Sequence, residues 1–239
     1  MTTAIPPIPA DVTAALSAQG IELDAGDADR LRAYLQALVD ANERFNLTAV
    51  TEPAQAWVRH VQDSLTLVPF LASAEAKRVI DVGSGGGLPG LPLAIVMPEA
   101  RFTLLEATGK KAAFLEECIG SLGLANARVV NERAETAGQD HHAHRAHYDA
   151  VVARAVARLN TLAELTVPFA REGGTVLLIK GAQAAEEVAE AKQALYRLHA
   201  QVVDLHRTAT GTVVVIEKPR PTPRSYPRTP GEPKRKPLA

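Results

Sequence analysis

The 239-residue chain has a single cysteine, Cys118, so no disulfide can form within it. Cys118 lies in the apolar-periodic stretch 112–122, where the expected role is a small buried hydrophobe rather than a nucleophile. Aromatic side chains make up only 4% of the chain, and aliphatic ones are left to build the core. No apolar run approaches the roughly 20 residues that a membrane-spanning helix needs, which predicts a soluble protein with no membrane partner. The opening stretch, Met1-Thr-Thr-Ala-Ile-Pro-Pro-Ile-Pro, lacks a basic segment followed by an apolar one. No secretory signal is read there, and cytoplasmic residence is expected.

Net charge is nearly absent too, at −1, but it is unevenly spread. From Lys218 onward there are seven Lys and Arg against one acid, Glu232, leaving 19 bases and 26 acids in residues 1–217. An acidic body therefore carries a basic tail, and the prolines of that tail predict an extended segment rather than a helix or central strand. A solubilising terminus and a contact to nucleic-acid phosphates are equally open readings.

The length fits one full-sized α/β domain with a smaller appendage. Apolar spacing predicts helices over 11–19 and 27–45. The second has Leu31, Leu35, Leu38, Val39 and Asn42 on one face, with Asp27 or Asp29 as cap. After the polar turn Asn46-Leu-Thr-Ala-Val-Thr comes a helix over 53–68, on which Arg59 faces Asp63 and His60 faces Ser64 at i,i+4 spacing. An ordinary ion pair and a hydrogen-bonded core histidine satisfy the same pattern. Strands over 78–82, 101–106, 127–131, 148–152 and 175–179 then alternate with helices over 88–97, 110–122, 159–169 and 184–199, and residues 201–206 and 211–218 read as a closing antiparallel pair. This alternation specifies an α/β fold with a largely parallel central sheet, helices on both faces and an N-terminal helical extension. The expected division is 1–72, 73–218 and the tail 219–239. His141, His142, His144 and His147 cluster in a polar loop, but no Cys or strand-placed carboxylate completes a ligand set, so an exposed loop is expected rather than a metal site.

The stretch richest in chemistry is Val79-Ile-Asp-Val-Gly-Ser-Gly-Gly-Gly-Leu-Pro-Gly-Leu-Pro-Leu93. An acid, Asp81, precedes a turn with glycines at 83, 85 and 87, which lets the backbone approach a ligand that side chains would obstruct. The order acid-x-Gly-x-Gly-x-Gly resembles the S-adenosylmethionine loop of methyltransferases more than a nicotinamide fingerprint. One βα unit later a strand ends in Glu106, 23 positions after Gly83, where nucleotide folds place the carboxylate for a ribose diol. Ala134 and Glu135, after the third strand, are placed to meet an adenine edge, and Arg154 projects from the carboxyl end of the fourth.

Several stretches together resemble one family, the bacterial methyltransferases that modify N7 of a guanine in 16S ribosomal RNA, also called glucose-inhibited division protein B. They are Asn46-Leu-Thr, Arg59-His-x-x-Asp-Ser64, the turn from Asp81 to Leu93, Arg133-Ala-Glu135, Ala153-Arg-Ala155, Lys180-Gly181 and Tyr226-Pro-Arg-x-x-Gly-x-Pro-x-x-x-Pro237. They run in family order from about residue 42 onward. Ala153 stands where family members often have Ser, and the histidine loop is lengthened. The resemblance implies a Rossmann-like S-adenosylmethionine-dependent fold, with cofactor contacts at Gly83, Leu88, Glu106, Ala107, Thr108, Ala134, Glu135 and Arg154, beside Asp81, Gly85 and Gly87 of the turn.

Guanine N7 is a neutral lone-pair acceptor, so methylation there needs no general base and can run on alignment. Arg154 or Lys180 would orient the guanine, and Arg59, His60, Lys180, Arg224, Arg228, Lys234, Arg235 and Lys236 are candidate RNA contacts. The expected partner is 16S ribosomal RNA or the small subunit, not DNA, and the expected state is a monomer. Rival readings are a methyltransferase for another RNA, a protein or a small molecule, a nicotinamide-dependent oxidoreductase, and a non-catalytic ribosome-assembly factor.

Overall fold

A computed structural model describes residues 4–45, 47–48, 50, 52–154 and 157–238. Asn46, Ala49 and Thr51 of the first turn motif, and Ala155 of the fourth-strand motif, lie outside the described residues. The chain opens with α1 (Ala10–Ser17) and α2 (Ala25–Phe45). Asp24 caps α2, not Asp27 or Asp29: its Oδ1 accepts the N–H of Asp27 at 2.6 Å, which satisfies an orphan donor of the first turn. Leu31, Tyr34, Leu35 and Leu38 are fully buried along one side of α2.

The single helix expected over 53–68 is broken into α3 (Pro53–Ala56), a π-helical turn (Trp57–Gln62) and α4 (Asp63–Leu65), with α5 (Val68–Ser73) following. The wider π turn shifts the side-chain spacing, and Asp63 pairs with Arg154 rather than with Arg59.

The remaining strands are β1 (Arg78–Val82), β2 (Arg101–Leu105), β3 (Ala127–Val130), β4 (Tyr148–Arg154), β5 (Ala170–Lys180), β6 (Gln201–Arg207) and β7 (Thr212–Glu217). They form one sheet in the order β3-β2-β1-β4-β5-β7-β6, parallel except for β7, which runs antiparallel to both neighbours. The helices between and after them are α6 (Gly90–Val96), α7 (Gly109–Ser121), α8 (Ala134–Ala137), α9 (Leu159–Thr166), α10 (Ala184–Glu190), α11 (Lys192–Leu198) and α12 (Glu232–Arg235). Two corrections concern continuity. The expected turn at 171–174 is absorbed into the 11-residue β5, and the expected helix over 184–199 is divided at Ala191.

Strands β1 and β2 are buried from their second residue on, as strands covered on both faces must be. One face packs Val79, Phe102 and Leu104 against α2, α6, α7 and the π turn. The other packs Ile80, Val151 and Leu178 against α9 and α11.

The tail does not extend into solvent. Thr222, Pro227, Pro233 and Leu238 are buried, and two cations of the body and tail fasten it. Arg145, from the histidine loop, donates to the carbonyls of Gly138, Thr222, Pro223 and Tyr226. Arg228 makes a two-pronged pair with Glu164 of α9, whose side chain is wholly buried. Lys218, counted above with the basic tail, is buried too: Nζ donates to the Ala170 carbonyl at 2.6 Å, and burial pulls its pKa down to about 8. The histidine loop is likewise not wholly exposed. His144 is buried with Nδ1 2.8 Å from the Tyr148 hydroxyl.

Removing Arg228 strands the Glu164 carboxylate without a counter-charge. Arg228→Ala is expected to lower stability by about 3 kcal/mol, whereas Arg224→Ala, at an exposed position, changes it by less than about 0.5 kcal/mol. Urea unfolding of the two variants checks this; equal midpoints would refute the anchoring role of Arg228.

Candidate functional site

The turn after β1 is tied to the end of β2. Gly83 and Ser84 both donate N–H groups to the Leu105 carbonyl, at 2.8 and 3.1 Å. The Glu106 carboxylate spans the next step, with Oε2 accepting the Gly85 N–H at 2.9 Å and Oε1 the Thr108 N–H at 2.7 Å. From the N-terminal helices, the Tyr34 hydroxyl donates to the Gly86 carbonyl at 2.8 Å. The apolar periodicity of α2 marked its buried face, but nothing in it marked Tyr34 as a support of the turn.

Above this turn lies a cleft of about 920 Å³ at the carboxyl ends of β1, β2 and β4, the place where open α/β sheets bind ligands. It brings together Gly83, Gly85, Leu88, Glu106, Ala107, Thr108, Ala134, Glu135 and Arg154. Gly85 has φ +58°, and a Cβ there would meet nothing closer than the Gly83 carbonyl at 3.8 Å, so the backbone is bare toward open space.

Asp81 and Gly87 are not among the lining residues. A Cβ on Gly87 would lie 2.4 Å from Leu91 Cδ1, so this glycine serves packing. Asp81 is buried beneath the turn: Oδ2 accepts the Gly90 N–H at 3.0 Å, while Oδ1 has no hydrogen-bond partner. Burial pushes its pKa up to about 7, against the smaller opposing effects of the Gly90 N–H and Ser84.

Arg154 is heavily engaged. Nη1 donates to the Arg59 carbonyl at 2.5 Å and to Asp63 Oδ2 at 3.0 Å, and Nη2 lies 3.1 Å from His60 Nδ1. A guanidinium only donates, so Nδ1 of His60 is the acceptor and Nε2 carries the proton, which it gives to Thr48 Oγ1 at 3.0 Å. Burial and then the charge of Arg154 pull the His60 pKa down to about 4. Asp63 Oδ1 in turn accepts the Thr210 hydroxyl from the β6–β7 hairpin. His60 is thus a buried support of Arg154, not an exposed contact. The motif spacing identified Arg59, His60 and Asp63 as a group, and Thr48 stands in the Asn46-Leu-Thr motif, but nothing in the sequence joined the distant Thr210 to them.

Lys180 is engaged as well. Its Nζ lies 2.7 Å from Glu187 Oε2 and 2.6 Å from the Ala157 carbonyl, with little exposure. Of the expected RNA contacts, Lys180, His60 and Arg228 are therefore held in internal bonds, whereas Arg59, Arg224, Lys234, Arg235 and Lys236 are exposed. Lys234 and Pro237 of the tail line the cleft beside Leu47 and Asn160. Glu135 ties the tail to that wall, its Oε1 accepting the Gly231 N–H at 2.7 Å and pairing with Arg133 at 2.8 Å. Burial works to raise the Glu135 pKa, but Arg133 and the Gly231 N–H outweigh it and the pKa is lowered.

His60 and Asp81 give pH dependences of opposite sign. His60 takes up a proton near pH 6.5 in the unfolded chain but only near 4 when folded, so its contribution to stability is lost as pH falls through that window. Asp81 holds its proton to about pH 7 when folded but only to about 4 when unfolded, so stability is lost as pH rises between them. Melting temperatures from pH 4 to 8 should therefore show the advantage of the wild type over His60→Gln shrinking as pH falls. Asp81→Asn should gain on the wild type as pH rises. Differences independent of pH would overturn both assignments.

Residues 27–214 match the family model described as rRNA small subunit methyltransferase G. Curated relatives bear the name ribosomal RNA small subunit methyltransferase G. That of Sorangium cellulosum is 48% identical over 213 residues, 89% of this chain and 88% of its own. That of Roseiflexus is 45% identical over 226 residues, covering 92% and 96%. Among solved structures, an O-methyltransferase from Bacillus cereus in complex with SAH has a TM-score of 0.57 at 18% identity, covering 86% of this chain and 95% of its own. The O-methyltransferase TomG from Streptomyces achromogenes, in complex with SAM, also reaches 0.57 at 16% identity, covering 87% and 96%. At such identities the likeness is one of fold. The sequence relatives span nearly the whole of both chains, and on that ground the chain belongs to the rRNA small subunit methyltransferase G family.

Proposed function

We propose that the protein transfers a methyl group from S-adenosylmethionine to N7 of a guanine in 16S ribosomal RNA of the small subunit. Family membership supports the reaction, and the observation that supports the cofactor most directly is the pairing of the bare Gly83–Gly86 turn with Glu106 across one cleft. When bound, S-adenosylmethionine supplies an electrophilic methyl on a sulfonium.

The chain's own residues then have four tasks. Each oxygen of Glu106 already accepts one backbone N–H and keeps a lone pair free, so the carboxylate can accept two ribose hydroxyls without moving. The side-chain-free surface over Gly85 lets the amino-acid end of the cofactor lie against the backbone. Ala134 and Glu135 line the cleft where they would border the adenine, and Leu88, Ala107 and Thr108 would close the sides. Arg154, which lines the cleft, is held by His60, Asp63 and the Arg59 carbonyl and so ties the segment before the sheet to the end of β4. Arg154 is thereby a positioning residue.

No group has to remove a proton, because guanine N7 attacks with a free lone pair. Alignment and exclusion of water supply the rate. Double-stranded RNA hides N7 in a deep, narrow groove, so the target guanine lies in a loop or bulge or is turned out of its helix. The exposed cations Arg59, Arg224, Lys234, Arg235 and Lys236 hold the flanking phosphates, Lys234 from the lining of the cleft itself.

Methyl transfer from labelled cofactor to small subunits of a strain lacking this protein, followed by nucleoside analysis, tests the reading. The expected product is 7-methylguanosine confined to 16S RNA; cofactor binding without labelled RNA would overturn the substrate assignment. Glu106→Gln leaves only one acceptor oxygen for both N–H groups and both hydroxyls, so its cofactor Kd should rise at least about tenfold. Isothermal calorimetry measures that change.

A further inference from the structure

A second polar cleft, of about 830 Å³, lies at the opposite end of the sheet from the cofactor turn, at the amino ends of the first three strands. Strand register puts Arg78 directly opposite Arg101, and Thr103 opposite Arg128. Directly paired residues, and residues two apart on a strand, share a face, so the three arginines lie on one face of the sheet, with Arg101 one strand step of about 4.8 Å from Arg78 and Arg128 one strand further and two residues along, diagonal to Arg101.

Arg128 and Arg78 are set in place without a counter-charge. Arg128 Nε donates to Thr103 Oγ1 at 3.1 Å. The Arg78 guanidinium lies over the ring of buried Tyr148, 5.8 Å from its centroid, and the Tyr148 hydroxyl is taken up by His144. The neighbouring carboxylate, Asp149, is committed elsewhere: Oδ2 accepts the backbone N–H groups of Lys77 and Arg78, and Oδ1 pairs with Arg171. Among the described residues, none of the three guanidiniums makes an ion pair with a carboxylate. Glu99, at the rim, is the acid that shares the cleft lining.

Like charges directly opposite each other in a sheet are destabilising. Two of them directly opposite and a third diagonal to them on the same face, in a body with more acids than bases, call for an anion. Guanidinium forks match phosphate oxygens two at a time, and a row of such forks matches a chain of phosphates better than a single small anion. The lining offers no exposed aromatic platform on which bases stack, which points to the backbone of RNA rather than to its bases.

We propose that Arg78, Arg101 and Arg128 form a second RNA-binding site, one that takes the phosphodiester backbone of ribosomal RNA at the face remote from methyl transfer. The proposal rests on the ribosomal RNA reading of the cofactor cleft. The strands between the two faces are five residues long, about 17 Å, so RNA held here is a different segment from the one carrying the target guanine. The enzyme therefore recognises folded RNA that reaches both faces, and a short fragment around the target engages only one.

Steady-state methyl transfer to small subunits, with the double variant Arg101→Gln/Arg128→Gln, tests this. Both side chains are exposed, and melting temperature and cofactor Kd serve as controls expected to stay at wild-type values. The KM for subunits should rise about tenfold with kcat unchanged. The dependence of log KM on log salt should become shallower by about one unit per arginine, and Arg101→Lys/Arg128→Lys should restore most of the lost slope. Unchanged KM and salt slope, with the wild type active, would overturn the second site and leave the methyltransferase reading intact. A wild type that methylates no ribosomal RNA would overturn both. Protection of the wild type, but not of the double variant, by millimolar inorganic phosphate with KM unaffected would mark a small-anion site and overturn the RNA assignment.

Discussion

Arg154 is the point on which the site depends. It stands at the end of a central strand and gives its donors to a histidine nitrogen, a carboxylate and a main-chain carbonyl, all from the segment before the sheet. Asp63 passes the connection on to Thr210 in the last hairpin. Three parts of the chain that share no secondary structure thus meet around one cation. The arrangement tolerates burial because every charge in it is paired: the guanidinium has its carboxylate, and His60 stays neutral beside it. Replacing any member leaves another unpartnered in a poorly hydrated place, where such groups are most unfavourable.

The glycine turn shows how support and binding are divided. Three residues of its one motif do different work. Gly85 offers open backbone, Gly87 makes room for Leu91, and Asp81 braces the turn from below through Gly90. Glu106 belongs to both sets, because the N–H groups that hold its carboxylate in place leave its outward lone pairs available. A binding residue already immobilised by the fold loses little entropy when a ligand arrives.

Much of the architecture was legible beforehand. The succession of strands and helices and the antiparallel closing pair follow from alternating apolar segments, and Glu106 follows from its distance beyond the turn. The unforeseen elements share a cause: each depends on contacts between distant residues that no local period encodes. The π turn at Trp57–Gln62 has ordinary helical residues and is read as continuous helix until Arg154 claims the Arg59 carbonyl. The tail, rich in proline and charge, has the composition of a solvated arm, yet Glu164 and Arg145 provide fixed partners for it. Lys180 and His60, expected as RNA contacts, are held in internal bonds instead: a charged or titratable residue in a motif can be there for the fold.

The tail has a consequence for the protein's own synthesis. Its Gly231 amide, Lys234 and Pro237 close one side of the cofactor cleft. Translation proceeds from the amino end, so the sheet, the glycine turn and Glu106 leave the ribosomal exit tunnel before that wall does. The newly made chain therefore passes through an interval in which the cleft is still open on one side, and the cleft gains its last wall only when the tail docks.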